Sequence, residues 1–186
     1  TYYHAQLCVW NGSTLALKHD KIWYWDQNTY IQSVALGDVD SDGSVEIVTG
    51  GYYHGNIWPY WDNAQLCVWN SSTLELKKVT AWYWDSDTRV NSVAIGDVDG
   101  DKASEIVTGG YFNDGTRLNA QLCVWNGSTL ALKQVTIWYW ENNTSIQSVA
   151  LGDVDNDGSV EIVTGGYYYD SPSTGYHLAQ IVVWSS

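Results

Sequence analysis

The sequence predicts an all-β fold, a β-propeller built from four-stranded antiparallel blades with three repeats in the chain. Three observations carry the prediction. The phrase AQLCVWN begins at Ala5, Ala64 and Ala120 and returns in part as AQIVVW at Ala179. Each interval holds four short segments rich in β-branched and aromatic residues, divided by Asn, Asp, Ser and Gly. No segment sustains a helical hydrophobic period. A small sheet that is apolar on both faces buries them by stacking on copies of itself, and radial stacking of such units gives a propeller. A linear β-solenoid is the other architecture, but its coils have shorter periods. Residues 1–186 are therefore read as one propeller or half-propeller domain.

Within one unit the first strand is expected over 32–39, where Val34 and Leu36 alternate and Gly37 marks a close approach to a neighbour. The second follows an Asp/Gly-rich turn at 46–49 and is expected to end at Gly50-Gly51. The third, 65–69, places Leu66 and Val68 on one face and Cys67 and Trp69 on the other, then stops at the polar turn Asn70-Ser71-Ser72. The fourth, 73–84, reads as a long outer strand with a bend. Length varies only between the second and third segments (52–63, 111–119 and 167–178), so this connection is the solvent-facing loop suited to unit-specific recognition.

In this register the chain opens with third and fourth strands and closes with first, second and third. Segments 6–10 and 180–184 are thus duplicate third strands. A closed ring of three blades falls below the usual number, whereas two chains exchanging terminal strands make six. A head-to-tail homodimer is the favoured expectation; an open fragment and a three-bladed monomer are the alternatives.

The most distinctive chemistry lies in the loop Asp38-Val-Asp40-Ser-Asp42-Gly-Ser44-Val-Glu46, repeated as Asp153-Val-Asp155-Asn-Asp157-Gly-Ser159-Val-Glu161. Oxygens at positions 1, 3, 5 and 9, with the main-chain carbonyl of position 7, can converge on one hard cation, while glycine at position 6 permits a sharp turn. Carboxylates so close repel unless a cation, hydrogen bonds or protonation relieves them. Calcium suits a flexible all-oxygen loop better than magnesium does. The competing reading is an acidic hairpin held by Asx turns without metal. The middle copy, Asp97-Val-Asp99-Gly-Asp101-Lys-Ala103-Ser-Glu105, puts Lys102 at position 6, where positive φ and a nearby ammonium are expected to weaken binding.

SVALGDVDSDGSVEIVTGG resembles the FG-GAP or VCBS-type repeat of integrin-alpha-like propellers, and the whole unit, with LCVWNGSTLAL and WYW, resembles repeats of archaeal surface proteins. The resemblance implies that each loop joins the first two strands of a blade and carries calcium that fixes the blade rather than catalysing a reaction. Position 9 is often Asp in such repeats and is Glu46, Glu105 or Glu161 here, so ligation is expected chiefly from the aspartates.

The other features limit the functional classes. A formal charge of -13 provides no basic footprint for nucleic acid. No apolar run is long enough for a membrane span, and no signal-peptide pattern is visible. Cys8, Cys67 and Cys123 occupy equivalent places and read as small buried hydrophobes. His4, His54 and His177 fall near the variable loops, His19 lies apart, and none has metalloenzyme spacing. Trp23-Tyr24-Trp25, Trp82-Tyr83-Trp84 and Trp138-Tyr139-Trp140 recur and so read as packing, with the central Tyr facing away from its neighbours. Trp58, Tyr60 and Trp61 do not recur and are candidates to stack on a sugar or anchor a protein. Asn11, Asn70, Asn126, Asn142 and Asn143 begin glycosylation-type sequons. Together these features predict a calcium-stabilised, non-enzymatic binding or adhesion scaffold, extracellular or at the cell surface. The alternatives are a structural segment of a surface or envelope protein and a lectin-like carbohydrate-binding module.

Overall fold

The computed structural model describes residues 2–56, 61–170 and 177–184. These form four antiparallel sheets. The first pairs β1 (Ala5–Trp10) with β2 (Leu17–Trp23). The second is a meander of β3 (Thr29–Gly37), β4 (Glu46–His54), β5 (Asp62–Asn70) and β6 (Leu76–Trp82). The third repeats it with β7 (Thr88–Gly96), β8 (Glu105–Asn113), β9 (Leu118–Asn126) and β10 (Leu132–Trp138). The fourth joins β11 (Thr144–Gly152), β12 (Glu161–Tyr169) and β13 (His177–Trp184). No helix among the described residues is long and apolar enough to cross a membrane.

The second strand of each unit outruns its expected end. β4 continues through Gly50 and Gly51 to His54, and a bulge in β3 at Gln32 keeps the pair in register. The same bulge falls between Val90 and Ser92 and between Ile146 and Ser148. Glycine is required there because a Cβ at Gly51, Gly110 or Gly166 would run into the carbonyl of Tyr30, Arg89 or Ser145. The fourth strand is shorter than expected: the backbone first turns at Leu74, whose φ is 55°, and β6 begins at Leu76.

The core lies between the sheets. Val48, Leu66 and Val68 meet Val90, Val93 and Ile106 at one junction, and Val107, Leu122 and Val124 meet Ile146 and Val149 at the next. Leu7 and Val9 of the two-stranded sheet pack on Ile47, Cys67 and Trp69. One tryptophan pair bridges each junction: Trp23–Trp69, Trp82–Trp125 and Trp138–Trp184, with ring centroids 4.4, 4.6 and 5.1 Å apart. The first tryptophan of each WYW phrase is therefore a packing group, while Tyr24, Tyr83 and Tyr139, one residue past the strand ends, are more than half exposed. The described sheets form an open stack rather than a closed ring.

Candidate metal centres

Each aspartate loop bridges the first two strands of its sheet and is clamped by a terminal pair, Gly37 with Glu46, Gly96 with Glu105 and Gly152 with Glu161. The position-1 aspartate organises the turn. Asp38 accepts hydrogen bonds from the N–H groups of Asp42 (3.2 Å) and Gly43 (2.9 Å), and Asp153 accepts them from Asp157 (3.2 Å) and Gly158 (3.0 Å). Asp97 does the same for Gly100 (2.7 Å) and Lys102 (2.9 Å). At position 7 the N–H groups of Ser44, Ala103 and Ser159 donate to Asp42, Asp101 and Asp157. Two residues per loop are left-handed: Ser41 and Gly43, Gly100 and Lys102, Asn156 and Gly158. Lys102 has φ of 71° at a position where the other loops have glycine.

Carboxylate oxygens converge within 4.8 Å in all three loops: Asp38, Asp40 and Asp42; Asp97, Asp99, Asp101 and Glu105; and Asp153, Asp155 and Glu161. Glu46 and Asp157 stand outside their clusters. The three glutamates are buried, and one oxygen of each accepts the N–H of Val39, Val98 or Val154 at 3.2, 3.1 and 2.8 Å. That oxygen ties the loop to its strand, while the other oxygen of Glu46 and of Glu105 faces a cation, the ammonium of Lys77 or of Lys133.

Sequence reasoning missed two lysines. Lys77 Nζ lies 2.9 Å from Asp40, 3.3 Å from Asp42 and 2.8 Å from Glu46. Lys133 Nζ lies 2.5 Å from Asp99, 3.4 Å from Asp101 and 2.9 Å from Glu105. Both sit at irregular steps in the pairing of the third and fourth strands, which releases them from the ladder and aims them at the loop. The signal was present as a recurring Leu-Lys at 17–18, 76–77 and 132–133. Hydrogen bonds donated to Glu46 and then Asp40 push the Lys77 ammonium above its ordinary range, and those donated to Asp99 and Glu105 do the same for Lys133. Conversely, bonds from Ser44 hold the Asp42 carboxyl low, and the bond from Lys133 holds Asp99 low.

The donor set fits a hard divalent cation. Its ligands are all oxygens, a positive group already occupies the focus of two loops, and the buried Asp40 Oδ1 has no hydrogen-bond partner among the described residues. A divalent ion entering the first or second loop would displace an ammonium whose side chain is a quarter exposed and flexible.

Of the aromatic ligand candidates, Trp58 and Tyr60 lie outside the described residues. Trp61 is 38% exposed, with its ring 6.4 Å from that of Tyr83. Beside it is a non-repeated polar cluster. Buried Asp62 binds His54 Nδ1 (2.8 Å) and Arg89 Nε (2.7 Å), and the guanidinium lies 4.2 Å from the centroid of the Tyr52 ring. His54 and His177 sit in strands β4 and β13 rather than in loops. The Asp62–Arg89 pair joins two adjacent sheets and lines a cleft of about 250 Å³. It escaped the sequence reading because its partners are distant in the chain and do not recur. No protein-family model matches the chain, and no curated protein does.

Proposed function

We propose that the chain is a calcium-stabilised, non-enzymatic scaffold for binding or adhesion, extracellular or at the cell surface, and that its sheets are blades of a β-propeller. The observation that carries the proposal is the convergence of carboxylates in three loops of one design, each at the start of a second strand. Calcium would be held chiefly by Asp38, Asp40 and Asp42, by Asp97, Asp99 and Asp101, and by Asp153 and Asp155, with the carbonyls of Ser44, Ala103 and Ser159 within the same turns. Bound there, it supplies charge that pins the hairpin between the first two strands. The likeness of the loop to FG-GAP and VCBS repeats supports the same reading. Threefold recurrence favours a structural role, since catalysis needs a singular constellation.

Calorimetric titration tests the assignment. Metal-free protein is expected to take up calcium at two or more sites per chain, and Asp40→Asn with Asp155→Asn is expected to remove the first and third. No calcium uptake at millimolar concentration contradicts it.

A lectin-like role is the second reading, favoured by exposed Trp61 beside Tyr83. A glycan array showing selective binding that Trp61→Ala abolishes would establish it, and silence across a broad panel would leave the structural scaffold.

A further inference from the structure

The two internal junctions between sheets use one set of contacts. At the first, Val90 and Val93 fill the space left by Gly50, and Ile95 fills that left by Gly37, where a Cβ would come within 2.9 Å of it. The N–H of Val93 donates to Ser33 Oγ at 3.0 Å. At the second, Ile146 and Val149 fill the space at Gly109, Leu151 fills that at Gly96, and the N–H of Val149 donates to Ser92 Oγ at 3.0 Å.

Both halves of the same junction recur unfilled at the two ends of the stack. Among the described residues, Gly152 has nothing within 4 Å of its Cβ position, and Gly165 has only Ser148 Cβ, at 4.0 Å. Val34 is 50% exposed, whereas its counterparts Val93 and Val149 are 7% and 8% exposed; Leu36 is 66% exposed, whereas its counterparts Ile95 and Leu151 are half-buried. The edges match as well. Among the described residues, the β1–β2 hairpin occupies the place of third and fourth strands and pairs with no second strand, while the sheet of β11 to β13 has no fourth. Lys18 stands at the same irregular step as Lys77 and Lys133, and among the described residues no lysine reaches the third aspartate loop.

We infer that a second copy of this chain docks head to tail, with Val34 and Leu36 of one copy seated over Gly165 and Gly152 of the other. The β1–β2 hairpin of the first copy then lies beside β12 of the second and supplants β13, which carries the same strand phrase and claims the same place. The hairpin brings a third strand in place of β13 together with the missing fourth, and delivers Lys18 to Asp155 and Glu161. The exchange also leaves Trp10 where Trp69 and Trp125 stand in their sheets, facing Thr164 as those rings face Thr49 and Thr108; Trp184, now in that place, keeps a buried Nε1 without a partner. Repeated at both ends, the contact closes two chains into a ring of six sheets and removes the open edges. The inference stands on packing and pairing and does not depend on calcium.

Light scattering coupled to size exclusion at micromolar concentration tests it. The expected mass is twice that of the 20.8 kDa chain. Gly165→Val, which meets open space within one chain, is expected to keep the β-sheet circular dichroism and halve the mass. Val34→Asp, on the opposite face, is expected to do the same. A single-chain mass for the parent protein overturns the inference, as does a multimer of unchanged mass in both folded variants.

Discussion

At position 6 of the middle aspartate loop, Lys102 adopts a backbone conformation that costs a non-glycine residue roughly 1 kcal/mol. Lys102→Gly is expected to strengthen calcium binding at that loop and raise the thermal midpoint by about 2 °C, after allowance for the greater freedom of glycine in the unfolded chain. Unchanged affinity in a calcium titration would show that the loop accepts lysine without the inferred cost. Lys77 acts on the same balance from outside its loop. Because its ammonium neutralises Asp40, Asp42 and Glu46, Lys77→Met is expected to lower the midpoint of metal-free protein and enlarge the rise that calcium produces. An equal calcium-dependent rise in both proteins would mean that lysine and metal do not share the site. Burial pushes the Cys67 and Cys123 thiols up to about 12, so neither supplies appreciable thiolate near pH 8. Mass spectrometry after alkylation of the folded protein at that pH is expected to find both unmodified, and modification of either would contradict the packing described.

Strands and turns were legible in the sequence to different degrees. The four-segment unit could be read because alternation, turn residues and repetition agreed. The hairpin turns also follow from local chemistry: Asn11, Asn70 and Asn126 are sequon residues whose side-chain oxygens accept N–H groups two or three residues ahead. The passage of β4 through Gly50-Gly51 was not legible, since glycine normally signals a strand end, and here the reasons lie in the next sheet's Val90 and Val93 against Gly50 and the bulge carbonyl against Gly51. Lys77 and Lys133 were visible as recurring residues, but their target loops lie far back in the chain. The tryptophans show how an element-level hydrogen bond anchors a strand. Trp69 and Trp125 donate from buried Nε1 atoms to Thr49 and Thr108 at 3.0 and 2.9 Å, whereas Trp184 has no such partner among the described residues. Trp125→Phe is therefore expected to destabilise by about 1–3 kcal/mol, the range for leaving a buried partner unpaired, and Trp184→Phe by less. Equal losses in thermal denaturation would remove the hydrogen bond as the cause.

At the scale of the molecule, the chain is a stack of sheets whose apolar contacts run between successive units and whose acidic loops recur in each of the three units. Repetition disclosed this plan in the sequence. It did not disclose the singular Asp62–Arg89 link, which arises where the pattern changes from Tyr30 to Arg89 to Ser145. Under the proposed function, the recurring loops hold calcium that stabilises the stack. Two sites filled at a hundred times their dissociation constants would add roughly 5 kcal/mol, equivalent to a rise of about 10 °C or more for a chain of this length. The most direct test is the thermal midpoint of the full chain, stripped of metal by chelation and then returned to millimolar calcium. A rise of that size is expected, reversed by renewed chelation and absent when Asp38, Asp40, Asp153 and Asp155 are changed to Asn; an unchanged midpoint with no bound metal would contradict calcium binding by the loops.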